Sequence, residues 1–262
     1  MTEERMPMPS HGSGVPPPTG GSDRPLDDPR ALQILSTEHW SLLATRSLSW
    51  NESFSRAGLF LSVVSATAVA LALVAQATEF GPGFIAFALV MLPVDLFVGL
   101  ATFTRLDEVN MEDVLWVAGM NRIRHAYLEI GPGLAPYFIT GATDDPAGFE
   151  RTVGVHRPGS VLAHWIVTMP GMVAVIDGVL AGLIVGVAGI ALGAMAMGPS
   201  IAVGAVVGIA VPVILAFRSK SSFQWLLGAY RSHFPSGSSS QYGWGQLGGE
   251  GGGEDGPGES RP

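Results

Sequence analysis

"GFIAFALVMLPVDLFVGLATFT", residues 83–104, is apolar throughout apart from scattered small polar residues and one acid, Asp95, two positions after Pro93. A helix needs roughly 20 such residues to cross about 30 Å of hydrocarbon. This stretch therefore reads as a transmembrane helix with a carboxyl near its middle. Residues 57–78, 167–195 and 199–217 have the same character. The breaks between the first two and the last two, "EFGPG" (79–83) and "AMGPS" (196–200), are turn-rich and too short to hold a domain. The expectation is an all-α polytopic membrane protein with four transmembrane helices in two hairpins.

Composition agrees. The chain has 262 residues, 47% hydrophobic and 14% charged, against about 25% charged in a soluble protein. Mean hydropathy is +0.36. There is no cysteine, which excludes disulfides and thiolate chemistry. The first thirty residues contain no apolar core, so no secretory signal is expected.

The bases set the orientation. All 14 Lys and Arg lie outside the spans and both short turns. They fall before span 1 (Arg5, Arg24, Arg30, Arg46, Arg56), between spans 2 and 3 (Arg105, Arg122, Arg124, Arg151, Arg157), or after span 4 (Arg218, Lys220, Arg231, Arg261). The positive-inside rule puts both termini and the central loop in the cytoplasm. The expected location is the bacterial plasma membrane.

The domain reading follows. Residues 1–27 and most of 218–262 are rich in Gly, Pro and Ser and read as disordered tails. Residues 28–56 read as a cytoplasmic helix leading into span 1, with Asp28 as N-cap and Pro29 in its first turn. Residues 57–104 form the first hairpin, 105–166 a cytoplasmic helical loop, and 167–217 the second hairpin. Within the loop, Asn110 with Asp113 three residues on predicts a fresh helix start. Met111, Val114, Leu115, Ala118, Ile123 and Tyr127 then form one apolar stripe, which Gly131-Pro132 ends. Asp145-Pro146 predicts a further short helix. Trp165, beside His164, is expected at the membrane interface.

Two features bear on chemistry. Asp95 and Asp177 are the only ionisable residues deep in the spans, and counting from the cytoplasmic ends puts both near mid-bilayer. Ser65 and Thr67 of span 1 and Gly208 of span 4 are expected at that level, giving one polar layer. A charge there costs from about 2.5 to well over 10 kcal/mol, so the layer holds neutral acids or a shared proton. It is either interhelical glue or a proton or cation site. The second feature is "DGVLAGLIVG", which sets Gly178, Gly182 and Gly186 at four-residue spacing, with Gly204 and Gly208 in span 4. Small-xxx-small faces let backbones approach closely. Either span 3 packs on span 4, or the glycines form a subunit interface. Pro93, Pro170 and Pro212 are expected to kink their helices.

Other chemistry is not indicated. The six His show no metal-ligand spacing, there is no nucleotide-binding or nucleophile-elbow motif, and no basic stripe interleaved with aromatics that would bind nucleic acid. No catalytic residue, cofactor or metal is expected. The stretches "ILSTEHWSLLATRSLSWNESFSRAGLFLSVVSATAVALALV" and "MNRIRHAYLEIGPGLAPYFITGATDDPAG" resemble those of uncharacterised multi-pass integral membrane proteins of actinobacteria. The resemblance implies a plasma-membrane location and no activity. The functional expectation is a self-associating scaffold or accessory component, whose partners are the lipid bilayer and copies of itself or other membrane proteins. The alternative is a proton- or ion-conducting channel or transporter using Asp95 and Asp177.

Overall fold

The computed structural model describes residues 25–154, 165–193 and 196–237, and among these all regular structure is helical. Five α-helices follow in order: α1 (Ala31–Thr78), α2 (Pro82–Ile130), α3 (Pro146–Val153), α4 (Met169–Ala191) and α5 (Met197–Ala229). All but α3 are long and apolar enough to cross a membrane.

At about 1.5 Å per residue, α1 and α2 are each roughly 70 Å long, more than twice the hydrocarbon thickness. Each therefore continues past its apolar run as a polar arm. Nothing between residues 31 and 56 breaks α1, since that segment has no Pro or Gly. In α2 the polar arm holds one glycine, Gly119, and there a side chain would press on Leu42 of α1.

The two helices are antiparallel along their whole length. Contacts run from Thr67–Asp95 through Glu52–Arg105 to Arg46–Asp113. The connection is tight: Glu79 and Phe80 both take left-handed conformations (φ 49° and 59°), and the Glu79 N–H closes on the Ala75 carbonyl. Helix α4 packs on α2 and also on α5. Phe60 of α1, Leu92, Phe103 and Leu106 of α2, and Val173 and Leu180 of α4 form the common core. Apolar positions such as Val69, Leu73, Phe97, Val206 and Ile209 stay exposed on the outside of the bundle.

Several sequence expectations need correction. Helix α2 runs through Asn110 without a break, because no breaker separates it from span 2. Asp113 is spent on Arg46 of α1, at 2.6 Å, rather than on a cap. Helix α1 begins at Ala31, after Pro29. The Asp28 carboxylate accepts from the Arg30 N–H at 2.8 Å and pairs with its guanidinium. Pro170 lies in the first turn of α4, where its missing N–H costs nothing, so of the three prolines expected to kink helices Pro93 and Pro212 sit in helix interiors. Trp165 is half-buried and packs against the core; its expected neighbour His164 lies outside the described residues, as does Met195. Helix α5 continues well beyond residue 217, and residues 230–236 dock on the loop after α2 rather than trailing as a tail. The short helix after Asp145 forms as expected, with the Asp145 side chain accepting from the Gly148 N–H.

Candidate functional site

The α1–α2–α4 interface encloses both mid-span acids, with Asp95 1% and Asp177 0% exposed. Asp95 Oδ1 accepts from Thr67 Oγ1 at 3.1 Å, while its Oδ2 has no partner among the described residues. Neither oxygen of Asp177 has one. The site thus holds four buried carboxyl oxygens and one donor.

The Asp177 carboxyl lies against Gly99. A Cβ at that position would overlap Asp177 Oδ1 and come within 2.9 Å of the Phe60 ring. Gly99 follows Asp95 by one turn, on the same face of α2. The acids therefore occupy successive turns of one interface, Asp95 against Thr67 and Asp177 against Gly99 and Phe60. The single layer expected from the sequence does not form. Ser65 is exposed on the outer face of α1 and takes no part. Gly208 packs on the Gly178 backbone, around the helix from Asp177.

The glycine face of α4 is turned to α5. A Cβ at Gly182 would stand 2.6 Å from the Gly204 carbonyl, and one at Gly178 would overlap the Gly208 carbonyl. Gly186 faces the Ser200 carbonyl. So Gly178, Gly182, Gly186, Gly204 and Gly208 are consumed by packing within the chain. The two faces of α4 have separate tasks, an acid toward α2 and glycines toward α5.

A second pair of acids, buried Asp144 and half-buried Asp145, lies in the loop after α2, and its joint role was missed in the sequence. The Asp144 side chain accepts from Arg122 Nε (2.6 Å), the Tyr230 hydroxyl (3.1 Å), and the His233 and Phe234 N–H groups (2.9 and 2.8 Å). Asp145 takes the Thr143 hydroxyl, the Gly148 N–H, and both the N–H and hydroxyl of Ser236. Burial alone would raise both carboxyls. The donors outweigh it, holding Asp144 below the usual carboxylate range and Asp145 down to about 2. This pair clasps the segment after α5 onto the end of α2, where the Phe234 ring stacks on His125 at 4.2 Å. The consecutive acids in "TDDP" were the available signal, since one aspartate suffices for a cap.

Nearer the spans, Arg105 bridges Glu52, Glu108 and Glu112. Among the described residues no group of three or more His, Cys, Asp or Glu is placed to hold a metal ion. No family model, no curated protein and no solved structure matches this chain. The chemistry of the acid pair therefore rests on its own residues.

Proposed function

We propose that this is a multi-pass plasma-membrane protein, with both termini and the 105–166 segment in the cytoplasm, that takes up and releases protons at Asp95 and Asp177. The observation that carries the reading is the Asp177 carboxyl: fully enclosed, pressed on Gly99, with no donor among the described residues. Acids that serve only as interhelical glue are expected to be hydrogen-bonded. A proton supplies what the site lacks, because a protonated carboxyl carries its own donor. Few oxygens converge there, which suits a proton better than an alkali or alkaline-earth cation that takes six or more ligands. The orientation is supported by Arg56, Arg105, Arg122 and Arg218, which lie toward one end of the bundle, while the turn at 79–81 at the other end carries only an acid.

Two experiments test this. In liposomes containing a pH-sensitive dye, wild-type protein dissipates an imposed proton gradient, and Asp177→Asn and Asp95→Asn slow it; no flux from the wild type removes the proton reading. Glu79→Cys, at an exposed turn position, reacts with an impermeant maleimide from outside the cell. Labelling only after permeabilisation reverses the topology.

A specific observation favours a second reading, an accessory scaffold. Leu32, Trp40, Leu43 and Phe54 lie exposed along one face of the α1 arm, outside the apolar run of span 1. Because the glycines are spent internally, assembly falls to this face. Leu43→Glu abolishing crosslinked complexes would support it, and unchanged crosslinking would count against it.

A further inference from the structure

A groove of about 560 Å³ lies where α5 leaves its apolar run, walled by Arg218, Ser221, Ser222, Trp225 and Leu226 of α5 and by Met111 of α2. The α5 residues are spaced i, i+3, i+4, i+7 and i+8, so they share one helix face. Every polar group on that face is unspent. The Arg218 guanidinium, both serine hydroxyls and the Trp225 indole make no hydrogen bond or ion pair with any described residue, and Trp225 is 73% exposed. The nearby acids are already engaged. Ser219 donates to Asp107 at 2.5 Å, and Glu108 and Glu112 are held by Arg105.

A cluster of free donors around one cation, with no carboxylate lining the groove, fits an oxyanion. We propose that the groove holds the phosphate of an anionic phospholipid from the cytoplasmic leaflet. The groove's position selects lipid over soluble phosphate. Ile214 and Phe217 lie one turn before Arg218 and Ser221 on the same face, 62% and 68% exposed, so an acyl chain continues down α5 from the headgroup. The proposal rests on the reading that α5 crosses the bilayer and leaves it at Phe217, and it is independent of proton uptake at Asp177.

The test uses the full chain reconstituted in mixed phosphatidylglycerol–phosphatidylcholine vesicles, extracted in mild detergent and weighed with its retained lipid by native mass spectrometry. Wild type retains phosphatidylglycerol in preference to phosphatidylcholine. Arg218→Gln weakens that preference about tenfold, the loss of one charge-assisted contact, and Ser222→Ala weakens it less. Lys220→Gln, on the opposite side of α5, leaves it unchanged. Equal losses from Arg218→Gln and Lys220→Gln would reduce the effect to diffuse attraction and overturn the site. Displacement of the lipid by inorganic phosphate would overturn the lipid as its source. A reversed Glu79→Cys labelling pattern overturns the leaflet and topology, whereas failure at Arg218 leaves them standing.

Discussion

The molecule treats two pairs of aspartates oppositely. Asp144 and Asp145, in the loop after α2, receive eight hydrogen bonds between them, from two backbone N–H groups, a guanidinium and a hydroxyl on one, and from two N–H groups and two hydroxyls on the other. Asp95 and Asp177, in the spans, receive among the described residues a single bond, from Thr67. A charge surrounded by donors is a structural fastener, whose energy comes from the bonds it accepts. A carboxyl stripped of donors has no such bonds to justify its burial. The difference is between an acid that holds the fold together and one that the fold goes out of its way to keep.

The first way to break the comparison is to remove a fastener. Asp144→Ala orphans four donors, and we expect about 2–3 kcal/mol of lost stability, moderated because Arg122 is partly exposed. The unfolding midpoint in detergent reports it, together with faster proteolysis after Arg231; an unchanged midpoint would make the clasp incidental. Acid sharpens the same point. The folded carboxyl of Asp145 lies near 2, below an unfolded value of about 3.9. Its contribution is therefore fully present above about pH 4 and is lost as pH falls toward 2. Protease accessibility of residues 231–237 should rise in that window and remain low above it.

The next test concerns the close approach at Gly99. Gly99→Ala puts a methyl group onto the Asp177 carboxyl and Phe60, and overpacking of this kind costs about 1–3 kcal/mol. Asp177→Ala in the same chain should restore most of it, so a double-mutant cycle gives strong coupling. Additive effects would mean that the two residues do not meet. The smallest effects belong to the span acids themselves. Asp177→Asn forfeits no hydrogen bond and Thr67→Val forfeits one, so each should shift stability by about 1 kcal/mol or less. A loss from Asp177→Asn as large as that from Asp144→Ala would erase the distinction.

Much of the fold was legible because the membrane writes itself into sequence. Unbroken apolar runs, glycine-proline breaks and the placement of Arg residues carry the four long helices, and the absence of Pro and Gly from residue 31 to residue 57 carries the single α1. Helix starts were less legible. At Asn110 the capping pattern competes with a helix already under way, and only the partner Arg46, 67 residues from Asp113 in the chain, shows why the helix wins. The candidate site was half legible. Asp95, Thr67 and Asp177 stood out as polar groups in apolar runs, and Gly99 was in plain view four residues after Asp95. Which face of α1 turns inward was not readable from depth alone, so Ser65 and Thr67 looked equivalent. The clasp depends on chain segments about ninety residues apart, which no local pattern reveals.

The central claim is that the span acids exist to carry a proton, and infrared difference spectroscopy on reconstituted protein addresses it most directly. The account predicts a protonated-carboxyl band that changes with pH in the wild type, is lost in Asp177→Asn, and is shifted in Asp95→Asn. A spectrum without a pH-dependent carboxyl band, or one that Asp177→Asn leaves unaltered, would contradict it.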